Sequence, residues 1–167
     1  MATISQNKLL QIHDFTQKLL KDYDIDIYIG GGFGIAFLAG EIYRENKDLD
    51  YIVDWHDIMK LRDVFLGYPE YIYQWITEKY SYKYIYDDLE IEFETIGSIN
   101  TFAEKIANQS PNLSQDDMDM DNIYMLDWIE WKCMKPSYYY KLRNIFGGKP
   151  KYKIDKEILD KVINTSS

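Results

Sequence analysis

Four glycines in five positions, Gly30-Gly31-Gly32-Phe33-Gly34, follow directly on the alternating, β-branched stretch Ile25 to Ile29. Glycine has no Cβ and takes left-handed backbone as readily as right-handed, so the run ends a strand and turns the chain sharply. Phe33 to Leu38 then reads as a short buried helix closed by Gly40, and Asp48 to Val53 as a second strand. Strand, glycine turn, helix and strand in immediate succession point to a sheet with helices packed on it.

The flanking segments extend this pattern. Leu9, Ile12, Phe15, Leu19 and Leu20 recur at helical spacing over residues 5 to 22. Asp54 is placed as an N-cap, with Asp57 near the capping-box position and Ile58, Leu61, Val64 and Phe65 as the apolar face of a helix to about Leu66. Residues 71 to 79 suit helix or strand, whereas 82 to 86 and 89 to 96 alternate cleanly about Asp87-Asp88 and predict a hairpin. Residues 108 to 122 mix turn formers with acids and read as a linker. Beyond it, helices are predicted at about 123 to 134, 137 to 146 and 155 to 164, separated by Pro136 and Gly147-Gly148. The expectation is an α/β (α+β) chain with a core at 1–107, a linker at 108–122 and a helical C-terminal region at 123–167.

Hydrophobic residues make up 46% of the 167, enough for a core, which excludes a disordered chain. The 28 acids against 19 Lys and Arg give a formal charge of -9. Such a field repels polyanions, so DNA and RNA are disfavoured as substrates, while cations and basic small molecules are drawn in. Cys133 is the only cysteine, which rules out an intrachain disulfide and a Cys-rich zinc site and fits a reducing compartment. With no signal-peptide core and no run of 18 apolar residues, a cytoplasmic location without membrane insertion is expected.

The chemistry concentrates in two places. A glycine turn leading into a helix offers bare N–H groups and a positive helix end, a seat for phosphate. Asp48 and Asp50, two apart on a strand, aim both carboxylates at one face, where oxygen-preferring Mg²⁺, as one or two ions, suits them. Glu90, Glu92 and Glu94 share one face of a later strand and offer a third carboxylate. Two rival motifs fail at positions they require. A dinucleotide fingerprint starting at Gly30 needs glycine at 35, which is Ile35. A calcium loop starting at Asp117 needs Gly at 122 and Glu at 128, which are Asn122 and Trp128. His13, His56, Cys133 and Tyr138-Tyr139-Tyr140 read as packing or surface residues.

Gly31-Gly32-Phe33, Arg44-Glu45 and Asp48-Leu49-Asp50, at this spacing, resemble the polymerase-β-like nucleotidyltransferases, and among them the small lincosamide and aminoglycoside antibiotic nucleotidyltransferases. The resemblance is good over residues 25 to 55. It implies that Asp48 and Asp50 hold metal and that an acid in an apolar-acid-apolar context on a later strand is third ligand or general base. Glu90, in Leu89-Glu90-Ile91, fits best, with Glu92 an almost equal candidate. Gly31, Gly32, Phe33, Arg44 and Lys47 become the nucleotide-contacting set, and Lys153 a weaker phosphate contact. Close relatives carry an acid where this chain has Ala36 and a His where it has Asn46. The implied reaction moves a nucleoside monophosphate from a Mg²⁺-bound nucleoside triphosphate, ATP by preference, to a hydroxyl of a small basic molecule; a homodimer is one assembly by which 167 residues could enclose both substrates. The alternatives are the same chemistry on protein or RNA, as in toxin–antitoxin and abortive-infection relatives, and a non-catalytic nucleotide-binding domain.

Overall fold

The computed structural model describes residues 5–54, 56–68, 72–76, 81–86, 89–95, 122–145 and 148–165. The elements run α1 (Gln6–Lys21), β1 (Ile27–Ile29), α2 (Gly31–Ala39), β2 (Asp48–Val53), α3 (Ile58–Leu66) and β3 (Ile72–Ile76). After these come β4 (Ser81–Tyr86), β5 (Leu89–Thr95), β6 (Asn122–Leu126), β7 (Ile129–Cys133), α4 (Pro136–Ile145) and α5 (Pro150–Thr165). The strands form one seven-stranded sheet in the order β3-β4-β5-β2-β1-β7-β6. It is mixed: β2 runs antiparallel to β1 and parallel to β5, and β1 runs parallel to β7.

Period-two alternation gives the central strands two unlike faces. Leu49, Tyr51, Val53, Leu89, Ile91 and Phe93 lie on one face, each fully buried. Two helices reach this face. From α1, His13 Nδ1 meets Tyr51 Oη at 2.6 Å, and from α3, the Phe65 ring packs 4.2 Å from Tyr84 and 5.7 Å from Phe93. Asp48, Asp50, Glu90, Glu92 and Glu94 line the opposite face, as the alternation requires.

The C-terminal third departs from the sequence reading. The helix expected at 123 to 134 is the antiparallel hairpin β6–β7, paired through Tyr124↔Trp131 and Leu126↔Ile129. Ile129, Trp131 and Cys133 alternate inward with Glu130 and Lys132 between them, a strand signature. Ile123 and Met125, however, point outward on the edge strand, so apolar residues on both faces imitate helical spacing. Asp127, at φ 52°, takes the left-handed turn position that Asp tolerates. Thus the sheet continues into residues assigned to a helical region. Of the expected linker, residues 108–121 lie outside the described residues, as do Asp87-Asp88.

Smaller differences have local causes. The 71 to 79 stretch resolves as a strand at 72–76, paired with β4. Asp57, not Asp54, stands at the N-cap of α3, while Asp54 accepts the His56 N–H on its carboxylate at 2.7 Å in the turn before it. The last helix begins at Pro150, whose missing N–H is no loss in a first turn. No helix among the described residues is long and apolar enough to cross a membrane.

His13 is fully buried among Phe33, Phe37 and Trp131, and burial lowers its pKa to about 3. An imidazole that stays neutral when folded but charges near pH 6.5 when unfolded contributes stability above pH 6.5 and loses it as pH falls toward 3. We predict that unfolding free energy, from denaturant melts, drops by up to about 1.4 kcal/mol per pH unit across that window from this group alone. His13→Gln should flatten that slope.

Candidate active site

The site is built on three glycines, each of which leaves room for a particular side chain. Gly31 adopts φ 56°, and a Cβ there would fall on the Asp50 carboxylate oxygen Oδ2. Gly32 leaves its space to the Arg44 guanidinium, and a Cβ on Gly34 would lie 2.6 Å from Tyr139 Oη. The turn is pinned to β2 by the Gly30 N–H, which donates to the Asp50 carbonyl at 2.6 Å. It is also pinned from below, since Tyr139 Oη donates to the Ile29 carbonyl at 2.5 Å.

Only Gly30 separates the end of β1 from the start of α2, which comes earlier than the sequence suggested, so Gly31 and Gly32 lie within its first turn. Gly30 is the N-cap and supplies no side-chain cap. The first helical bond runs from the Gly34 N–H to the Gly30 carbonyl at 2.8 Å. The N–H groups of Gly31, Gly32 and Phe33 therefore have no acceptor within the helix, the arrangement that binds anions. Phe33 contributes only through its backbone: its ring is buried edge-on to His13 and Phe37.

Across the sheet, Asp48 is in register with Glu90, Asp50 with Glu92 and Ile52 with Glu94. Parallel neighbours lie about 4.8 Å apart, so the acids form a compact ladder. Burial, followed by the charges of Asp48, Glu94 and Glu92, pushes the Asp50 pKa up to about 7, with Arg143 opposing. Glu90 is paired: Lys83 Nζ on β4 approaches its Oε2 at 2.8 Å. Glu92 sits opposite Asp50 and adds to the field acting on it.

This donor set suits a hard divalent cation, since it is all oxygen and bears a repulsion that a cation would relieve. No three His, Cys, Asp or Glu side chains among the described residues are already gathered tightly enough to grip an ion. Mg²⁺ is commonly held by only one or two carboxylates, with water and substrate phosphate completing its shell. Asp48 and Asp50 fit that mode.

Arg44 is more firmly placed than its loop position suggests. Its Nε meets Asp155 Oδ1 at 2.6 Å, its Nη2 reaches Asp155 Oδ2 at 3.2 Å, and its Nη1 donates to Asn46 Oδ1 at 2.8 Å. Asp155, fully buried on α5, also accepts from Tyr43 Oη at 2.6 Å and Arg143 Nε at 2.8 Å. Burial alone would raise its pKa; hydrogen bonds from Arg44 and Tyr43, with the charges of Arg143 and Arg44, hold it below the ordinary carboxylate value. Asn46, almost fully buried, exchanges two further bonds with Gln6, at 3.2 and 3.3 Å. Ala36 is fully buried in the core, and Lys47 is exposed at the end of the loop.

Sequence reasoning missed Arg143 and the anchoring role of Asp155. A signal for Asp155 was present: it precedes Leu159 and Val162 by four and seven residues, so it lies on the apolar stripe of α5, where an unpaired acid would be costly.

The sequence model of one family, aminoglycoside-2''-adenylyltransferase, matches residues 9–101, more than half of the chain. The chain belongs to that family. Membership makes it a nucleotidyltransferase of the antibiotic-modifying kind. A sequence comparison with curated proteins gives no match. Among solved structures, the lincosamide antibiotic adenylyltransferase LnuA in its lincomycin-bound form is 14% identical over 96% of this chain and 99% of that one, with a TM-score of 0.69. The solution structure of the antibiotic-resistance factor ANT(2'')-Ia is 12% identical over 96% and 86%, with a TM-score of 0.68. An antigenic nucleotidyltransferase-like protein from Paracoccidioides brasiliensis is 16% identical over 98% and 79%, with a TM-score of 0.65. At these identities the likeness is one of fold, and it extends past the family match into the C-terminal helices.

Gly31→Ala tests the close approach in this adenylyltransferase-family fold. It should cost at least about 1–3 kcal/mol from left-handed backbone strain, and more from the clash with Asp50, read as a lower denaturation midpoint. Asp155→Asn should cost about 3–5 kcal/mol in the same measurement, as expected when one partner of a buried ion pair is removed.

Proposed function

We propose that the chain transfers a nucleoside monophosphate, AMP in the simplest case, from a Mg²⁺-bound nucleoside triphosphate to a hydroxyl of a small basic molecule of the aminoglycoside or lincosamide kind. The observation that carries this reading is the placement of Asp48, Asp50 and Glu92 on one open sheet face, with the Asp50 carboxylate against the glycine turn. A nucleotide phosphate seated on the Gly31, Gly32 and Phe33 N–H groups lies next to these carboxylates.

In this reading Asp48 and Asp50 hold the metal, which when bound supplies charge neutralisation at the α-phosphate and at the departing pyrophosphate. Glu92, in register with Asp50, serves as third carboxylate in preference to Glu90, which pairs with Asp48. It takes up the proton of the acceptor hydroxyl as the oxygen bonds to the α-phosphorus and the bond to the β-phosphate oxygen breaks. Arg44, anchored by Asp155 beside Gly32, faces the phosphates as a rigid cation. Lys47, exposed on the loop, contributes long-range attraction only. The formal charge of -9 favours a protonated amine on the acceptor. Nothing in the comparisons favours a protein or RNA acceptor or a non-catalytic role.

Transfer of labelled nucleotide to a panel of aminoglycosides and lincosamides tests the reading, with the melting shift produced by Mg²⁺ and nucleoside triphosphate as a second readout. Asp48→Asn and Asp50→Asn should each lower the rate on the order of a hundredfold or more, equivalent to several kcal/mol of transition-state stabilisation, while the circular dichroism spectrum stays unchanged. Undiminished transfer by the double variant would remove the metal assignment. Glu92→Gln should likewise be much slower than Glu90→Gln; the reverse order returns the third-carboxylate role to Glu90.

A further inference from the structure

Three buried polar atoms in one part of the core have no partner in the protein. Among the described residues, His13 Nε2, Thr16 Oγ1 and Trp131 Nε1 are each shut off from solvent and make no hydrogen bond. His13 and Thr16 are fully buried and Trp131 nearly so. An unpaired buried donor or acceptor keeps its full desolvation cost, so folded proteins rarely carry one, and three together call for an explanation.

Helix spacing and ring contacts bring the three together. His13 and Thr16 are three apart on α1, which makes their side chains neighbours on one face. The Trp131 indole stands edge-on to the His13 imidazole, with ring centroids 4.4 Å apart. One turn further along α1, Gln17 Nε2 donates to the Glu130 carbonyl at 3.3 Å, so β7 runs beside positions 13 to 17 and Thr16 falls between the two contacts. The other His13 nitrogen is engaged, with Nδ1 meeting Tyr51 Oη at 2.6 Å, and Phe33 and Phe37 crowd the imidazole edge-on.

The chemistry of these atoms selects an occupant. An indole N–H only donates, so the occupant must accept; a hydroxyl does either, and a neutral imidazole nitrogen does one or the other according to the tautomer. A bare metal cation is excluded, because it offers the indole no acceptor. Burial also keeps His13 neutral, its pKa lowered to about 3, so an anion here would lie without a countercharge from the imidazole. Water meets the need: it both accepts and donates, and a buried water typically makes about three hydrogen bonds to groups that otherwise lack partners. Gln17 and Trp131 also line a cavity of about 330 Å³ bordered by the exposed Lys21 and Asp26, so bulk solvent comes as far as the indole.

We propose that the core binds one ordered water through His13 Nε2, Thr16 Oγ1 and Trp131 Nε1. It accepts the indole N–H, bridges to the Thr16 hydroxyl and takes whichever role the His13 tautomer leaves at Nε2. The water lies behind the acidic strand, since Tyr51 turns to His13 while Asp50 beside it faces the other side of the sheet. It is independent of the transferase reading and is tested without substrate.

A crystal structure of the full chain, at a resolution that shows ordered solvent, should hold one density peak about 2.7–3.2 Å from all three atoms. In solution the Trp131 indole N–H, assigned by its loss in Trp131→Phe, should give a nuclear Overhauser peak to water with the sign of a long-lived bound molecule. Thr16→Val keeps the side-chain shape and removes the hydroxyl. With the water in place this strips it of a partner and should lower the denaturation midpoint; in a dry core it would exchange an unpaired hydroxyl for a methyl and raise the midpoint. No density peak within reach of the three atoms overturns the proposal, and so does a midpoint that Thr16→Val leaves unchanged or raises.

Discussion

The site depends first on the contact between the Asp50 carboxylate and the bare backbone of Gly31. It brings a metal-ligating type of residue on β2 within reach of the open end of α2, and only glycine permits it, both for the missing Cβ and for φ 56°. The Gly30 N–H to Asp50 carbonyl bond ties the turn to the strand at the same residue. The open N–H groups of α2 and the carboxylates of β2, which the proposed function assigns to phosphate and cation, are thereby held in fixed relation, the kind of preorganisation on which transition-state stabilisation depends.

The remaining architecture keeps that contact still. One sheet face is sealed by α1 and α3 over fully buried apolar residues, so the other face can carry five acids without loss of the core. Arg143 and Lys83 offset part of the repulsion among those acids, yet burial and the neighbouring carboxylates still push Asp50 toward its protonated form. The stability of the sheet and the strain of its open face have separate sources, which lets the face remain reactive on a rigid support.

The glycine turn, the acidic strand and the β4–β5 hairpin were legible in the sequence because each rests on local rules: conformational freedom at Gly31, and alternation in Asp48–Val53 and Leu89–Thr95. The β6–β7 hairpin was not, because the edge strand exposes Ile123 and Met125, and outward apolar residues break the inward-outward code that identifies a strand. The choice between Glu90 and Glu92 was equally out of reach, since both sit in the same apolar-acid-apolar context. The proposal for Glu92 rests on strand register, which sets it opposite Asp50, and register is a tertiary fact. Asn46 is a similar case: its role follows from Gln6 and Arg44 closing around it, not from its neighbours in sequence.

Arg44 and Asp155 stand 111 residues apart, yet they act as a single joint fastening the last helix to the first loop of the site. Loss of either leaves the charge of the other without this partner, so selection on the fold would act on the two positions together. Lineages that drift at either must drift at both or lose the joint, which makes paired substitution at these two columns the trace this architecture would leave in its descendants.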